Sequence, residues 1–369
     1  MQKQERPRLV AKAKANSESH AGKQTVSPFV IGEQEVAPGT IETVELPISR
    51  LSTRTQMALP VRVLHGSKPG PVLFVSAGVH GDEIIGVEII RRLLRKISIK
   101  RLSGTLLCIP VVNVFGFIMH QRYLPDRRDL NRSFPGSASG SLAGQLANVF
   151  SKEIIRRSDY GIDLHSAAIH RTNLPQIRVN ADSPRANELA LVFGAPAIIV
   201  SPLRDGSLRQ KAAEQDVDVL LYEAGEALRF DELSIRLGVS GILRVISHLG
   251  MVSHSKVKAR TTAPVQSNRT QWVRAPEGGI FRAKYTTGDR VKADAILGYL
   301  SDPFGDTDVP VVSPLDGIII GRTNVPIVNQ GDALMHVAQV KTVHTAIQRI
   351  DQINEDALTD PLFDEDEVI

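Results

Sequence analysis

The chain is poor in cysteine, in aromatics and in long apolar runs. One cysteine in 369 residues, Cys108, excludes an intrachain disulfide and fits a reducing compartment. It lies in the apolar run Thr105-Leu106-Leu107-Cys108-Ile109, which reads as a buried strand with the thiol in the core rather than as a nucleophile. Aromatics make up 5% of the chain, with one tryptophan. None interleaves with Lys3, Arg6, Arg8, Lys12 and Lys14, so the basic start reads as a solvated tail and no nucleic-acid partner is expected. No apolar run approaches the roughly 20 residues of a membrane-spanning helix. The nearest, around residues 195–200, is broken by Pro196 and Pro202. The first residues lack the apolar core of a secretory signal. The expectation is a cytoplasmic chain without a membrane partner.

What is present is ordinary globular material: 42% hydrophobic residues and a net charge of +4, with mean hydropathy −0.06. The charge is uneven. Residues 351–369 carry many carboxylates and no Lys or Arg, and the opposed charges of the two ends permit a homo-oligomer.

The sequence divides into an N-terminal tail and entry segment (1–40), a catalytic α/β domain (41–253), a β module (254–345) and an acidic C-terminal tail (346–369). In the second part, expected strands at 71–77, 105–112, 159–164, 197–200 and 217–223 alternate with expected helices at 84–97, 142–157, 186–193, 207–215 and 231–249. Such alternation predicts a mostly parallel or mixed sheet flanked by helices. In the third part, Ala275-Pro276-Glu277-Gly278-Gly279-Ile280 recurs as Ser313-Pro314-Leu315-Asp316-Gly317-Ile318, and Gly288-Asp289 recurs as Gly331-Asp332. A repeated strand-turn-strand unit predicts a small all-β module. It resembles the half-barrel of biotinyl/lipoyl domains. Those domains carry a modified lysine on the hairpin between their halves, and residues 301–312 contain none. A carrier role is therefore not expected, and the module reads as structural or as an edge of the active site.

The chemistry concentrates in four runs. His80 and Glu83, in Gly78-Val79-His80-Gly81-Asp82-Glu83, are spaced so that one turn can aim both at a single ion, and the glycines permit the tight path. Alone, the run also reads as a surface histidine and a first-turn glutamate facing the helix dipole. A third ligand, His165, ends an apolar strand two residues after Asp163, which suits an outer partner for the imidazole. His170 competes with it from a polar loop. His₂Glu leaves a fourth position open, as catalytic zinc requires. The loop from Arg122 to Gly136, with Asp129-Leu130-Asn131-Arg132-Ser133-Phe134 at its centre, is dense in guanidinium groups and reads as an anion-binding wall. Glu223 ends the apolar run before Ala224-Gly225-Glu226 and suits a general base, with Glu226 as the competitor.

In this order the four runs resemble the succinylglutamate desuccinylase/aspartoacylase family, relatives of the zinc carboxypeptidases, over about residues 71–249 with the β module continuing to about 340. The resemblance implies one Zn²⁺ held by His80, Glu83 and His165. It implies Arg122 at the scissile carbonyl and its oxyanion, Asn131 and Arg132 on a substrate carboxylate, and Glu223 as general base and acid. The expected activity is removal of an acyl group from the nitrogen of an amino acid or similar small amine. Members taking doubly acidic substrates use further arginines, for which Arg178 and Arg209 are candidates. Peptide-cutting relatives use a late tyrosine with no match here, since Tyr222 should face away from Glu223. The alternatives are a carboxypeptidase-type exopeptidase and a non-catalytic metal- or carboxylate-binding protein.

Overall fold

The computed structural model describes residues 26–252, 260–340 and 343–360. The basic run through Lys14, part of the polar stretch after residue 252 and residues 361–369 of the acidic end lie outside the described residues.

Four parallel strands form the centre, in the order Ser103–Ile109, Lys68–Ala77, Tyr160–Ala167 and Asp218–Glu226. Side chains alternate across a strand. Leu73, Val75 and Ala77 therefore enter one apolar layer while Phe74 enters the other. The first layer packs under helices Ile85–Lys96, Pro184–Phe193 and Glu232–His248, and the second under Leu142–Glu153 and Leu208–Ala213. Ile85, Ile89 and Leu93, spaced by a helical turn, give the first helix its buried stripe. Arg92 on the same helix is fully buried. Its Nε donates to Glu88 at 2.7 Å and its two terminal nitrogens to Glu232 at 2.9 Å each, so it ties two helices together.

The sheet is mixed rather than mostly parallel. Gln56–His65 and Thr40–Arg50 extend one side antiparallel, and Arg171–Val179 pairs antiparallel with Asp218–Glu226 on the other. These three strands contain Pro47, Pro60 and Pro175, and a proline argues locally against a strand interior. Gly317–Thr323 then pairs with Arg171–Val179, followed by Ala333–Gln339 and Thr270–Arg274. The main sheet thus runs on into the C-terminal β part. That part adds a four-stranded sheet, Asp308–Val312, Ile296–Ser301, Gly279–Ala283 and Ile327–Val328, over a core that includes Phe281, Leu297, Leu300 and Leu334.

Two end segments form elements that the sequence pattern left unassigned. The entry segment is not all tail: Phe29–Ile31 and Gln34–Val36 pair as a hairpin whose Ile31 and Val36 are fully buried. The acidic end is helical over Val343–Leu358. Its carboxylates stand beside an apolar stripe, Ala346, Ile350, Ile353 and Ala357, whose spacing buries one face. Among the described residues, no helix is long and apolar enough to cross a membrane.

Candidate functional site

His80 and Glu83 occupy the turn between the Lys68–Ala77 strand and the Ile85–Lys96 helix. Gly78 there has φ of +62°, and a Cβ on Gly81 would stand 2.0 Å from the backbone of Gly116, so the two glycines let the turn close against the short helix Val114–Ile118. His165 stands at the end of Tyr160–Ala167. Ile162 and Leu164 of that strand join the first layer, under the three helices, so Asp163 and His165 face the other way. Glu223 is in register with His165 on the neighbouring strand, while Leu220, Tyr222 and Ala224 enter that first layer. The strand period therefore puts Glu223 and His165 on one face.

His80, Glu83 and His165 are buried, with ligand atoms all within 4.8 Å of one another. Both imidazoles turn Nδ1 toward Glu83: His80 at 2.7 Å from Oε1 and His165 at 2.8 Å from Oε2. Each turns Nε2 to an aspartate. His80 donates to Asp129 at 3.1 Å and His165 to Asp163 at 2.8 Å, and Ser76 Oγ donates to Asp163 at 2.7 Å from behind. Carboxylates behind metal-binding imidazoles fix the tautomer that leaves Nδ1 free for an ion. His80 Nδ1 is buried and, although 2.7 Å from Glu83 Oε1, is not aligned for a hydrogen bond, as suits a ligand atom facing a shared cation. The donor set fits a divalent ion with an open position.

The electrostatics agree. Burial opposes charge on His165, but Asp163 and Glu83 outweigh it and raise its pKa well above the ordinary value. Burial likewise opposes charge on Glu83, and His80 and His165 overcome it, holding the carboxyl below its usual range. Asp129 is held low against burial, first by His80 and then by Arg122 and Arg132. This centre is built to hold positive charge.

One cavity of about 450 Å³ contains these ligands together with Arg122, Asn131, Arg132 and Glu223. The structure thus brings every candidate site residue to one place. Arg122 donates to Glu83 Oε1 at 2.9 Å and to Asp129 at 3.2 Å, so its guanidinium borders the candidate ligand set. Asn131 accepts from the Leu208 N–H at 2.9 Å, which pins its loop to the Leu208–Ala213 helix. Glu223 accepts from Asn173 Nδ2 at 3.0 Å. The competitors stand elsewhere. Glu226 accepts from the His170 N–H at 2.9 Å and from Asn324 at 3.0 Å, and neither Glu226 nor His170 lines the cavity. Tyr222 donates its hydroxyl to the Ser234 carbonyl at 2.7 Å, on the far side of the sheet.

Several cavity residues lie outside the sequence reading. Thr270, Trp272 and His336 enter from the C-terminal β strands. His336 stacks on Trp272 at 4.3 Å and 10°, and its buried Nδ1 has no partner. A lone histidine inside the apolar run from Ala333 to Ala338 was the available signal. Arg178 and Arg209, already candidates from the sequence, line the cavity too, each with a buried nitrogen lacking a hydrogen-bond partner. Burial and then the neighbouring Arg178 push the Arg209 guanidinium down to about 10. Cys108, by contrast, is fully buried, and burial pushes its thiol up to about 12.

Comparison with known proteins gives a consistent picture. Residues 69–249 match the model of the succinylglutamate desuccinylase/aspartoacylase catalytic domain. An N-alpha-acetyl-L-2,4-diaminobutyric acid deacetylase of Halomonas elongata is 26% identical over 310 residues, spanning 80% of this chain and 90% of that protein. The crystal structure of a succinylglutamate desuccinylase/aspartoacylase from Rhodobacter sphaeroides superposes with TM-score 0.74 at 25% identity, covering 82% of this chain and 95% of that one. The product-bound ectoine utilization protein of Ruegeria pomeroyi shares the fold, with TM-score 0.74 at 21% identity over 81% of this chain and 95% of its own. Residues 69–249 thus belong to the succinylglutamate desuccinylase/aspartoacylase family, and the Halomonas relative and the Rhodobacter structure carry the likeness over 80% and 82% of the chain.

Proposed function

We propose that this chain is a zinc-dependent amidohydrolase that removes an acyl group from the nitrogen of a small amino acid bearing a second anionic group. The observation that carries the reading is the buried His80, Glu83 and His165 set, backed by Asp129 and Asp163, opening into the cavity that also holds Glu223. A divalent ion bound there supplies a Lewis acid that acidifies water and polarises a carbonyl. Glu223 accepts the water proton and returns it to the departing amine nitrogen. Arg122, beside Glu83, offers its guanidinium to the oxygen that gains charge. Asn131 and Arg132 take the substrate's α-carboxylate.

Arg178 and Arg209 support the second anion. Two neighbouring guanidiniums with unpartnered buried nitrogens carry a cost that Glu223 and Asp163 only partly offset and that a substrate carboxylate would lower further. That feature favours an acidic amino acid or a dicarboxylic acyl group over an amine-bearing substrate such as the one named for the Halomonas relative. The cavity has the size of a small-molecule site and no tyrosine in its lining, which favours the deacylase over the exopeptidase reading.

The test is a panel of N-acetyl, N-formyl and N-succinyl derivatives of aspartate, glutamate and 2,4-diaminobutyrate, with dipeptides alongside, using metal-quantified protein. Chelator-sensitive release of the acidic amino acids, with dipeptides untouched, is the expected result. Preferential cleavage of dipeptides would overturn the deacylase reading, and preference for diaminobutyrate derivatives would overturn the role of Arg178 and Arg209.

A further inference from the structure

The residue that holds Glu223 belongs to neither of the strands that carry the ligands and the base. Asn173 lies on Arg171–Val179, between Asp218–Glu226 on one side and Gly317–Thr323 on the other. Glu223 pairs with Gln176 and Gly225 with Asn173, so Ala224 alone stands against two residues, Leu174 and Pro175, on the other strand. The extra residue falls at Leu174-Pro175, where a proline fits a bulge. A bulge inverts the alternation beyond it, so Asn173 faces the same side as Gln176 and its amide reaches Glu223 Oε2 at 3.0 Å. A carboxylate only accepts, so the amide must donate, and its oxygen is then turned elsewhere.

That oxygen meets the C-terminal β part. Asn173 is in register with Gly321, Gly321 with His336, and His336 with Trp272. One rung therefore crosses five strands, from Gly225 beside the base to the Trp272 and His336 stack. A Cβ on Gly321 would stand 2.8 Å from Asn173 Oδ1 and 3.6 Å from the His336 Cβ. Glycine at 321 leaves the room that the Asn173 amide needs.

We propose that Asn173 is a positioning residue that fixes the Glu223 carboxylate for proton transfer, and that Gly321 of the C-terminal β part sets the place of Asn173. The proposal rests on the reading of Glu223 as general base. The C-terminal strands then do more than wall the cavity: they set the aim of the base.

The test uses full-length Asn173→Asp, which keeps the shape but loses the donor, and Gly321→Ala, which touches neither substrate nor metal ligands. With N-acetyl-L-aspartate as probe, both variants lose kcat by about tenfold to a hundredfold while KM stays within about twofold, the scale of a base misplaced by about 1 Å. Crystal structures supply a readout independent of turnover: the Glu223 carboxylate is rotated or split between rotamers in both variants and single in the unsubstituted chain. Matched melting temperatures separate this from unfolding. Unchanged kcat in both variants, or a Glu223 rotamer that stays put in both structures, overturns the proposal. Full activity in Glu223→Gln would instead overturn the general-base reading on which it rests.

Discussion

At the scale of single residues, the centre is ordered by what stands behind it. Asp129 and Asp163 take the Nε2 protons of His80 and His165, and Ser76 in turn holds Asp163. His336 is the opposite case, a buried imidazole stacked on Trp272 with Arg178 nearby and no carboxylate partner. Burial first, and then the Arg178 charge, push its pKa from 6.5 down to about 3. The folded chain keeps it neutral while the unfolded chain protonates it near 6.5, so between those values the unfolded state binds more protons. Its contribution to stability is full above the unfolded value and is lost as the pH falls toward the folded one. Acidification from neutrality to about pH 5 should cost on the order of 2 kcal/mol through this group. Urea melts of the chain and of His336→Gln across that range check the point, since the variant should show the shallower acid loss. Legibility at this scale follows chain distance. His80 and Glu83 share one turn, and His165 lies near the end of one apolar strand, so local pattern was enough to single out all three as candidates. Asn173 and His336 acquire meaning only from sheet register, which no local pattern encodes.

At the scale of elements, alternation and its interruptions decide which side chains meet. The central strands were readable because their apolar runs are unbroken. Arg171–Val179 was not, because Pro175 interrupts it, and that same irregularity brings Asn173 to Glu223. The Val343–Leu358 helix was hidden by its carboxylates, although Ala346, Ile350, Ile353 and Ala357 form a buried stripe. Ile353 and Ala357 pack on Leu237 of the Glu232–His248 helix, and Arg236 donates to the Leu358 carbonyl at 2.9 Å. Ile353→Ala should therefore destabilise the chain by about 2–5 kcal/mol, the usual range for such a truncation in a core. Chemical denaturation reads this directly, and a loss well under about 1 kcal/mol would mean the helix is not part of the cooperative fold.

At the scale of the whole molecule, the catalytic sheet and the C-terminal β part are one hydrogen-bonded surface, joined where Gly317–Thr323 meets Arg171–Val179. The internal repeat revealed the β part, but not that it lends Trp272 and His336 to the cavity. That knowledge resides in the pairing of strands far apart in sequence. The proposed function makes the chain a metal-dependent hydrolase whose proton carrier is Glu223. The most direct measurement takes zinc content and N-acyl amino acid turnover together, in the unsubstituted chain, in His80→Ala and in Glu223→Gln. The account predicts one zinc with turnover in the first and little zinc in the second. In the third it predicts one zinc with turnover lower by about a hundredfold to ten-thousandfold. Stoichiometric zinc in His80→Ala, or undiminished turnover in Glu223→Gln, would contradict it.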